Sequence, residues 1–274
     1  MLKSILGMLI LILSGTSATS AELTKISIVK MNEIIEQTNF IVNSGCSGTL
    51  IDLKNRLILT NYHCIDNNVE IVEREETTTT GAVKKVKFKR YKDVPVVQNG
   101  YDGFSKVSSL SYVSEIVAEQ KSADLAILKI KTTITQKIAS KIIPSNDSIV
   151  RGEDVYAVGN PGGMDASIVK GIISNMNRTF QFPWTNEEKL PMIQFSGGIY
   201  GGNSGGALYN NKGQLIGVPA AGFSDANFIG LAIPANIVRK FLLNNCLAEA
   251  YDETFNNDKC IEDKKNLEKK KKDE

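Results

Sequence analysis

The sequence predicts an all-β protein, and three observations carry that prediction. Short β-rich runs recur along the body, each closed by a polar turn. Glycines punctuate the second half at Gly159, Gly162, Gly163, Gly197, Gly198, Gly201, Gly202, Gly205 and Gly206. The strand-like runs do not alternate with helical patterns, which argues for a sandwich or barrel over a parallel sheet. A chain of 274 residues fits one large domain or a two-lobed one. With 42% hydrophobic and 23% charged residues, it has the composition of a soluble globular protein. A net charge of +2, with much of the lysine in the last dozen residues, gives no reason to expect a nucleic-acid partner.

Taken in order, the chain opens on Lys3, an apolar run from Ile5 to Leu13, and small residues from Ser14 to Ala21. This is the order of a secretory signal peptide over residues 1–21, cleaved after Ala21, with Ala18 the next choice. The apolar run is well short of the ~20 residues a spanning helix needs, so no stable membrane anchor is expected. Ile26 to Phe40 reads as a short helix or a leading strand. Thr49–Leu53 and Arg56–Thr60 around Lys54-Asn55 read as a hairpin. Val69–Val72, Val83–Phe88, Ser111–Val117 and Leu125–Ile130 read as further strands, and Glu73–Gly81 as a loop or sheet edge.

Thr132–Pro144 reads as a connector. A second strand set follows at Asp154–Val158, Ser167–Ile173, Met192–Phe195, Ala207–Tyr209, Leu215–Val218 and Phe228–Ile233. Ile237, Val238, Phe241 and Leu242 have helical spacing behind Pro234, predicting a C-terminal helix. Residues 248–274 end in an almost wholly charged stretch that cannot bury enough apolar surface to fold alone, so a disordered tail is expected.

Four cysteines in an exported chain suggest disulfides. Three pairings are possible. Sequence order favours Cys46 with Cys64 and Cys246 with Cys260. A metal site is disfavoured, because no paired short-spaced Cys motif exists and the one histidine has a better use.

Three patterns carry chemistry. His63, in Leu59-Thr-Asn-Tyr-His-Cys64, is the only histidine and follows an apolar strand. Histidine titrates near neutrality without perturbation, as a general base must. Asp124 heads the apolar run Leu125–Ile130. A carboxylate there either satisfies turn backbone or accepts the Nδ1 proton of a histidine and fixes its orientation. Ser204 sits in Gly201-Gly-Asn-Ser-Gly-Gly206, where glycines let the N–H groups of Gly202 and Ser204 converge on the oxyanion of a tetrahedral intermediate.

The order His, Asp, Ser along an all-β chain resembles that of chymotrypsin-like serine proteases. Within that group the chain is most similar to the HtrA (DegP) bacterial proteases. The resembling stretches are Leu59–His63, Asp124–Ile130, Ala157–Gly163, Gly171–Ser174, Gly202–Leu208, Gly213–Val218 and Gly230–Ala235. The resemblance implies the chymotrypsin fold, two six-stranded antiparallel β-barrels with the active site between them. The protease domain is then residues 22–247, with barrels at about 25–131 and 145–247. It implies a serine endopeptidase, secreted or periplasmic, with catalytic His63, Asp124 and Ser204, no metal and no cofactor. Polypeptides, unfolded proteins among them, are the implied substrates, and a homotrimer is the assembly common in such relatives.

Some features depart from those relatives. The remainder after Leu243 is too short for a PDZ domain, so regulation through one is not expected. Cys46 and Cys64 resemble the animal trypsin-type pair that braces the histidine loop. Asn203, before the serine, carries no charge to pair with a new N-terminus, so zymogen cleavage is not expected. The specificity pocket falls on Gly198, Ile199, Val218 and Ala220. Gly198 stands where trypsin-like enzymes place an acid, Ile199 shortens the pocket, and no second histidine is left for glutamate recognition. Small or medium aliphatic residues are the expected cleavage sites. The alternative is a catalytically silent protease-fold binding or toxin module. An α/β-hydrolase is rejected because its triad runs Ser, Asp, His.

Overall fold

A computed structural model describes residues 27–77, 81–102, 105–146, 149–185, 189–223 and 226–273. The expected signal peptide, residues 1–21, lies outside the described residues. The first element resolves the choice left open at Ile26–Phe40, since both readings apply in turn. A helix α1, Ile28–Thr38, starts where Ser27 accepts the Lys30 N–H on its side chain. It buries Met31, Ile34, Ile35 and Thr38, one stripe at helical spacing. The chain then goes straight into strand β1, Asn39–Val42.

The first barrel comprises β1, β2 (Cys46–Asp52), β3 (Leu57–Thr60), β6 (Val94–Asp102), β7 (Ser105–Gln120) and β8 (Leu125–Ile130), in the spatial order β1-β2-β3-β8-β7-β6. It closes where β6 pairs antiparallel with β1. The expected hairpin at Thr49–Thr60 is the β2–β3 pair. Strand β6 was not among the predicted runs, because Pro95 and Asn99-Gly100 break its pattern. Pro95 is tolerated just beyond the reach of β1, whose last register partner is Val96. There the ring's missing N–H leaves no ladder bond unmade.

Between β3 and β6, β4 (Val69–Thr77) and β5 (Val83–Tyr91) form a separate two-stranded hairpin. Part of the segment expected as a loop or edge, Glu73–Thr77, is thus strand. Its register sets Glu70 opposite Arg90, Glu73 opposite Lys87 and Glu75 opposite Lys85, an arrangement of opposite charges that suits a solvated ribbon.

The second barrel comprises β9 (Asp154–Gly159), β10 (Ser167–Phe180), β11 (Leu190–Ser196), β12 (Ala207–Asn210), β13 (Leu215–Phe223) and β14 (Ala226–Pro234), in the order β10-β11-β14-β13-β12-β9. All of its pairings are antiparallel. The connector between barrels runs along the second one, where Lys141 O accepts from Leu215 N and Ile143 N donates to Leu215 O. Helix α2, Ala235–Asn244, follows Pro234 and buries Ala235, Val238, Phe241 and Leu242.

The core explains why β3 is buried on both faces. Ile58 points into the first barrel beside Phe40, Leu50 and Leu128. Leu57 and Leu59 point outward, into a cluster shared with α1 and with second-barrel residues such as Val158 and Leu208. One apolar cluster therefore joins the barrels.

Within the segment expected to be a disordered tail, the structure has buried residues and a helix. Ala248 is buried, so packing runs past 247. A helix α3 spans Asn257–Asp273. Lys and Glu are good helix formers in themselves. The helix start is fixed by the Asn256 side chain accepting from Lys259 N and by a Cys246–Cys260 disulfide. Glu249 adds a link to the first barrel, 3.0 Å from Lys54 Nζ.

Candidate active site

The β3–β8 register brings two of the predicted residues together. Thr60 pairs with Ala126, so the chain leaving β3 and the chain entering β8 meet at one end of the ladder. His63 lies three residues beyond Thr60, and Asp124 two residues before Ala126. A single 3-10 turn, Lys121–Ala123, ends on Asp124 in the left-handed region at φ 51°. The Asn61 side-chain amide holds that turn by donating to Asp124 O at 2.8 Å.

His63 Nδ1 stands 2.9 Å from Asp124 Oδ2 and 3.1 Å from Oδ1. The His63 backbone N–H also donates to Oδ1 at 2.9 Å. An ionised carboxylate only accepts, so this contact places the ring proton on Nδ1 and leaves Nε2 as a base. Burial pushes the Asp124 carboxyl pKa up, while the His63 ring and the His63 and Tyr62 amides pull it down. A Cys46–Cys64 disulfide braces the turn next to His63. In the chain-entropy model, closing such a loop contributes about 3 kcal/mol.

Ser204 comes from the other barrel. Its carbonyl accepts from Ser47 N at 2.8 Å and lies 3.7 Å from Cys64 Sγ, which puts it beside the histidine turn. Asn203 N donates to Tyr200 O, closing a turn in which Gly202 adopts φ 106°. Gly201 O accepts from Gly162 N at 2.7 Å, so across that trans peptide the Gly202 N–H points the opposite way. A Cβ at Gly202 would lie 2.3 Å from Asn160 O. Gly205 is needed for a different reason: a Cβ there would lie 2.2 Å from Ser47 O and 2.3 Å from Thr60 Oγ1. The serine turn is pressed against the first barrel. Among the described residues, neither the Gly202 nor the Ser204 N–H has a protein acceptor.

The segment before the serine packs across the end of the second barrel. Ile199 Cδ1 fills the space over Gly230, 2.8 Å from where a Cβ would stand, and Ile199 Cγ2 covers Gly222 at 3.6 Å. Gly198 is half-buried beside it. The other two expected pocket residues, Val218 and Ala220, are buried. Val218 is wholly buried and Ala220 is 6% exposed, both within the core cluster. A bulge between Pro219 and Ala221 interrupts the alternation of strand faces between them.

Among the described residues, the group with metal-ligating atoms in mutual reach is Cys46, His63 and Cys64. Its two sulfurs are bonded to each other, so it offers no thiolate.

A model of the trypsin-like peptidase domain matches residues 46–218, the span that holds all three predicted catalytic residues. The chain belongs to the trypsin-like peptidase family. Within this family it is similar to "Serine protease HtrA-like" of Staphylococcus aureus strain USA300, at 35% identity over 140 residues. The match covers 48% of this chain and 18% of that relative. The protein of the same description from S. aureus strain bovine RF122 / ET3-1 matches to the same extent. The chain thus spans about a fifth of the length of these curated relatives. Among solved structures it resembles an HtrA-type protease, AlgW, determined with a decapeptide. The TM-score is 0.52 at 26% identity, covering 73% of this chain and 51% of that one.

Three residues of this trypsin-like domain were given no role by sequence reasoning. Trp184 packs its ring 5.3 Å from that of His63 and stacks on Phe182 at 5.0 Å. Ser47 and Asn160 meet beneath the serine turn. Their local signals, a serine after Cys46 and an Asn before Pro161, are too common to single out alone.

Proposed function

We propose that the chain is an exported serine endopeptidase working through His63, Asp124 and Ser204. Ser204 Oγ attacks the carbonyl carbon of the scissile peptide, and His63 Nε2 takes its proton. Asp124 holds the imidazole with Nδ1 protonated and stabilises the imidazolium that forms. The Gly202 and Ser204 amides receive the oxyanion. As the tetrahedral intermediate collapses, His63 returns the proton to the leaving amine. Water, deprotonated by the same nitrogen, then releases the acyl group from Ser204. The carrying observation is the pair of amides, Gly202 and Ser204, without a protein acceptor among the described residues, on a turn whose Ser204 carbonyl lies 3.7 Å from Cys64 Sγ, the residue after His63.

Export is supported by the signal-like residues 1–21 and by two disulfides among the described residues, which form in oxidising compartments. Substrates are polypeptides, cleaved after small or medium aliphatic residues. The test is labelling with a fluorophosphonate probe, wild type beside Ser204→Ala. Wild type should label and the variant should not, with peptide hydrolysis down by about 10⁴-fold or more. An unlabelled wild type would favour a catalytically silent member of the family. Equal labelling of the two would move the nucleophile elsewhere.

A further inference from the structure

Two amides can receive an oxyanion only if their peptide planes, 201–202 and 203–204, are held, and each is hinged to the planes on either side, so what holds the adjoining planes 202–203 and 204–205 also bears on the site. Two of the four planes are held from within the second barrel. Gly162 N donates to Gly201 O at 2.7 Å, and Gly206 N donates to Asn203 O at 3.1 Å. The other two are held on their N–H side within the second barrel, Asn203 N donating to Tyr200 O at 3.1 Å and Gly205 N to Pro219 O at 3.0 Å, and on their carbonyl side by one residue of the first barrel. Ser47 Oγ donates to Gly202 O at 2.6 Å, and Ser47 N donates to Ser204 O at 2.8 Å.

The Ser47 hydroxyl has no freedom to point elsewhere. It is wholly buried and has one proton and two lone pairs. The lone pairs take Asn160 N at 2.8 Å and Asn160 Nδ2 at 3.0 Å. Both of those partners are donors, so the hydroxyl proton is left for Gly202 O. Asn160 is locked in turn. Its Oδ1 accepts from Asn39 Nδ2 at 2.8 Å and Ala166 N at 2.9 Å, and its Nδ2 also donates to Phe40 O at 2.9 Å. Thr60 Oγ1 donates to Ser47 O at 2.7 Å. The junction therefore draws on both barrels and contains no group that reacts.

We infer that Ser47 is a positioning residue for the oxyanion site, its hydroxyl direction set by Asn160. The inference rests on the serine endopeptidase reading and adds what holds its amides in place. A merely structural hydroxyl would affect stability alone. A positioning one affects the transition state and spares ground-state binding.

The experiment uses the full chain, as wild type, Ser47→Ala and Ser47→Gly, each assayed well below its melting temperature. Three quantities are read: kcat and KM on a peptide substrate, inhibition by a peptide aldehyde, and affinity for a cleaved product peptide in a Ser204→Ala background. The aldehyde's hemiacetal oxygen occupies the oxyanion position, whereas the product peptide reports ground-state binding. Both variants should lower kcat by about 10–100-fold, short of the ~100–1,000-fold for outright loss of a donor. KM should stay within about twofold, aldehyde inhibition should weaken in step with kcat, and product affinity should hold. Either variant, folded and with wild-type kcat and aldehyde inhibition, overturns the inference, whatever its melting temperature. So does a loss that appears equally in product affinity. Wild-type protein that fluorophosphonate does not label refutes the endopeptidase reading instead, and this inference with it.

Discussion

The Asp124 carboxyl is wholly buried at a turn with φ 51°, and burial is the largest influence on its pKa, upward. A folded-state pKa raised above the unfolded value, about 3.9, gives stability that is fully present below that value. That contribution is lost as pH rises through the folded value. Ionising this carboxyl in the folded protein therefore costs stability, and the proposed function gives a reason for its place beside His63. Asp124→Asn keeps the acceptor for the His63 N–H and removes the charge. Its melting temperature at pH 8 should equal or exceed wild type by up to about 2–4 °C, the equivalent of roughly 1 kcal/mol. Its kcat should fall by about 10⁴-fold, because the amide presents the wrong partner to Nδ1. The stability gap should narrow as pH falls toward 4. Thermal unfolding at both pH values, with kcat at pH 8, checks this, and a variant several degrees less stable at pH 8 would contradict it.

At the scale of elements, the proposed specificity rests on a loop and two strands. The loop Gly197–Gly201 lies over β13 and β14, and Ile199 occupies the space that Gly230 and Gly222 leave by having no side chain. As the floor of the proposed pocket, Ile199 would make it short and apolar, and a cationic or anionic side chain would be costly to desolvate there. Cleavage should fall after Val, Ala, Ile or Thr. The discrimination should be loose, at about 1–3 kcal/mol per misfit methylene. Ile199→Ala should deepen the pocket and move the preference toward Leu or Phe by about tenfold or more. Mapping the cuts in an unfolded protein substrate tests both statements, and a dominant cut after Lys, Arg or Glu would refute the pocket assignment.

At the scale of the whole molecule, the proposed chemistry and the packing are both shared between barrels. His63 and Asp124 belong to the first barrel and Ser204 to the second. The cluster joining α1, the outer faces of β3 and β8, and the second barrel is continuous. Separating the chain at the connector would expose Leu57, Leu59 and Ile127 on one side and their second-barrel partners on the other. Residues 27–143 and 144–273, produced separately, should each fail to label with fluorophosphonate, and each should associate through the exposed face. Labelling of the second half alone would show that Ser204 is activated without the first barrel.

The sequence by itself determined what is local. The Leu125–Ile130 strand, the helix behind Pro234 and the Gly201–Gly206 turn are each written in a few consecutive residues. So are His63 at a strand end, Asp124 at a strand start and the short cysteine spacings. Periodicity, turn chemistry and a narrow motif depend only on neighbours along the chain. What the tertiary structure alone decided depends on residues far apart in sequence. The bond from Ser47 Oγ to Gly202 O spans 155 positions and that from Asn39 to Asn160 spans 121. Strand β6 is a strand because β1 and β7 flank it, despite Pro95. Val218 and Ala220 are buried by strands packed around β13, whose alternation a bulge between Pro219 and Ala221 interrupts, and the order of residues does not encode this. The charged C-terminal segment forms a helix tied to the body through Cys260 and, just before it, Glu249, contacts that composition cannot anticipate. A side chain's direction, and hence its work, is set by which surface the docked barrels place opposite it.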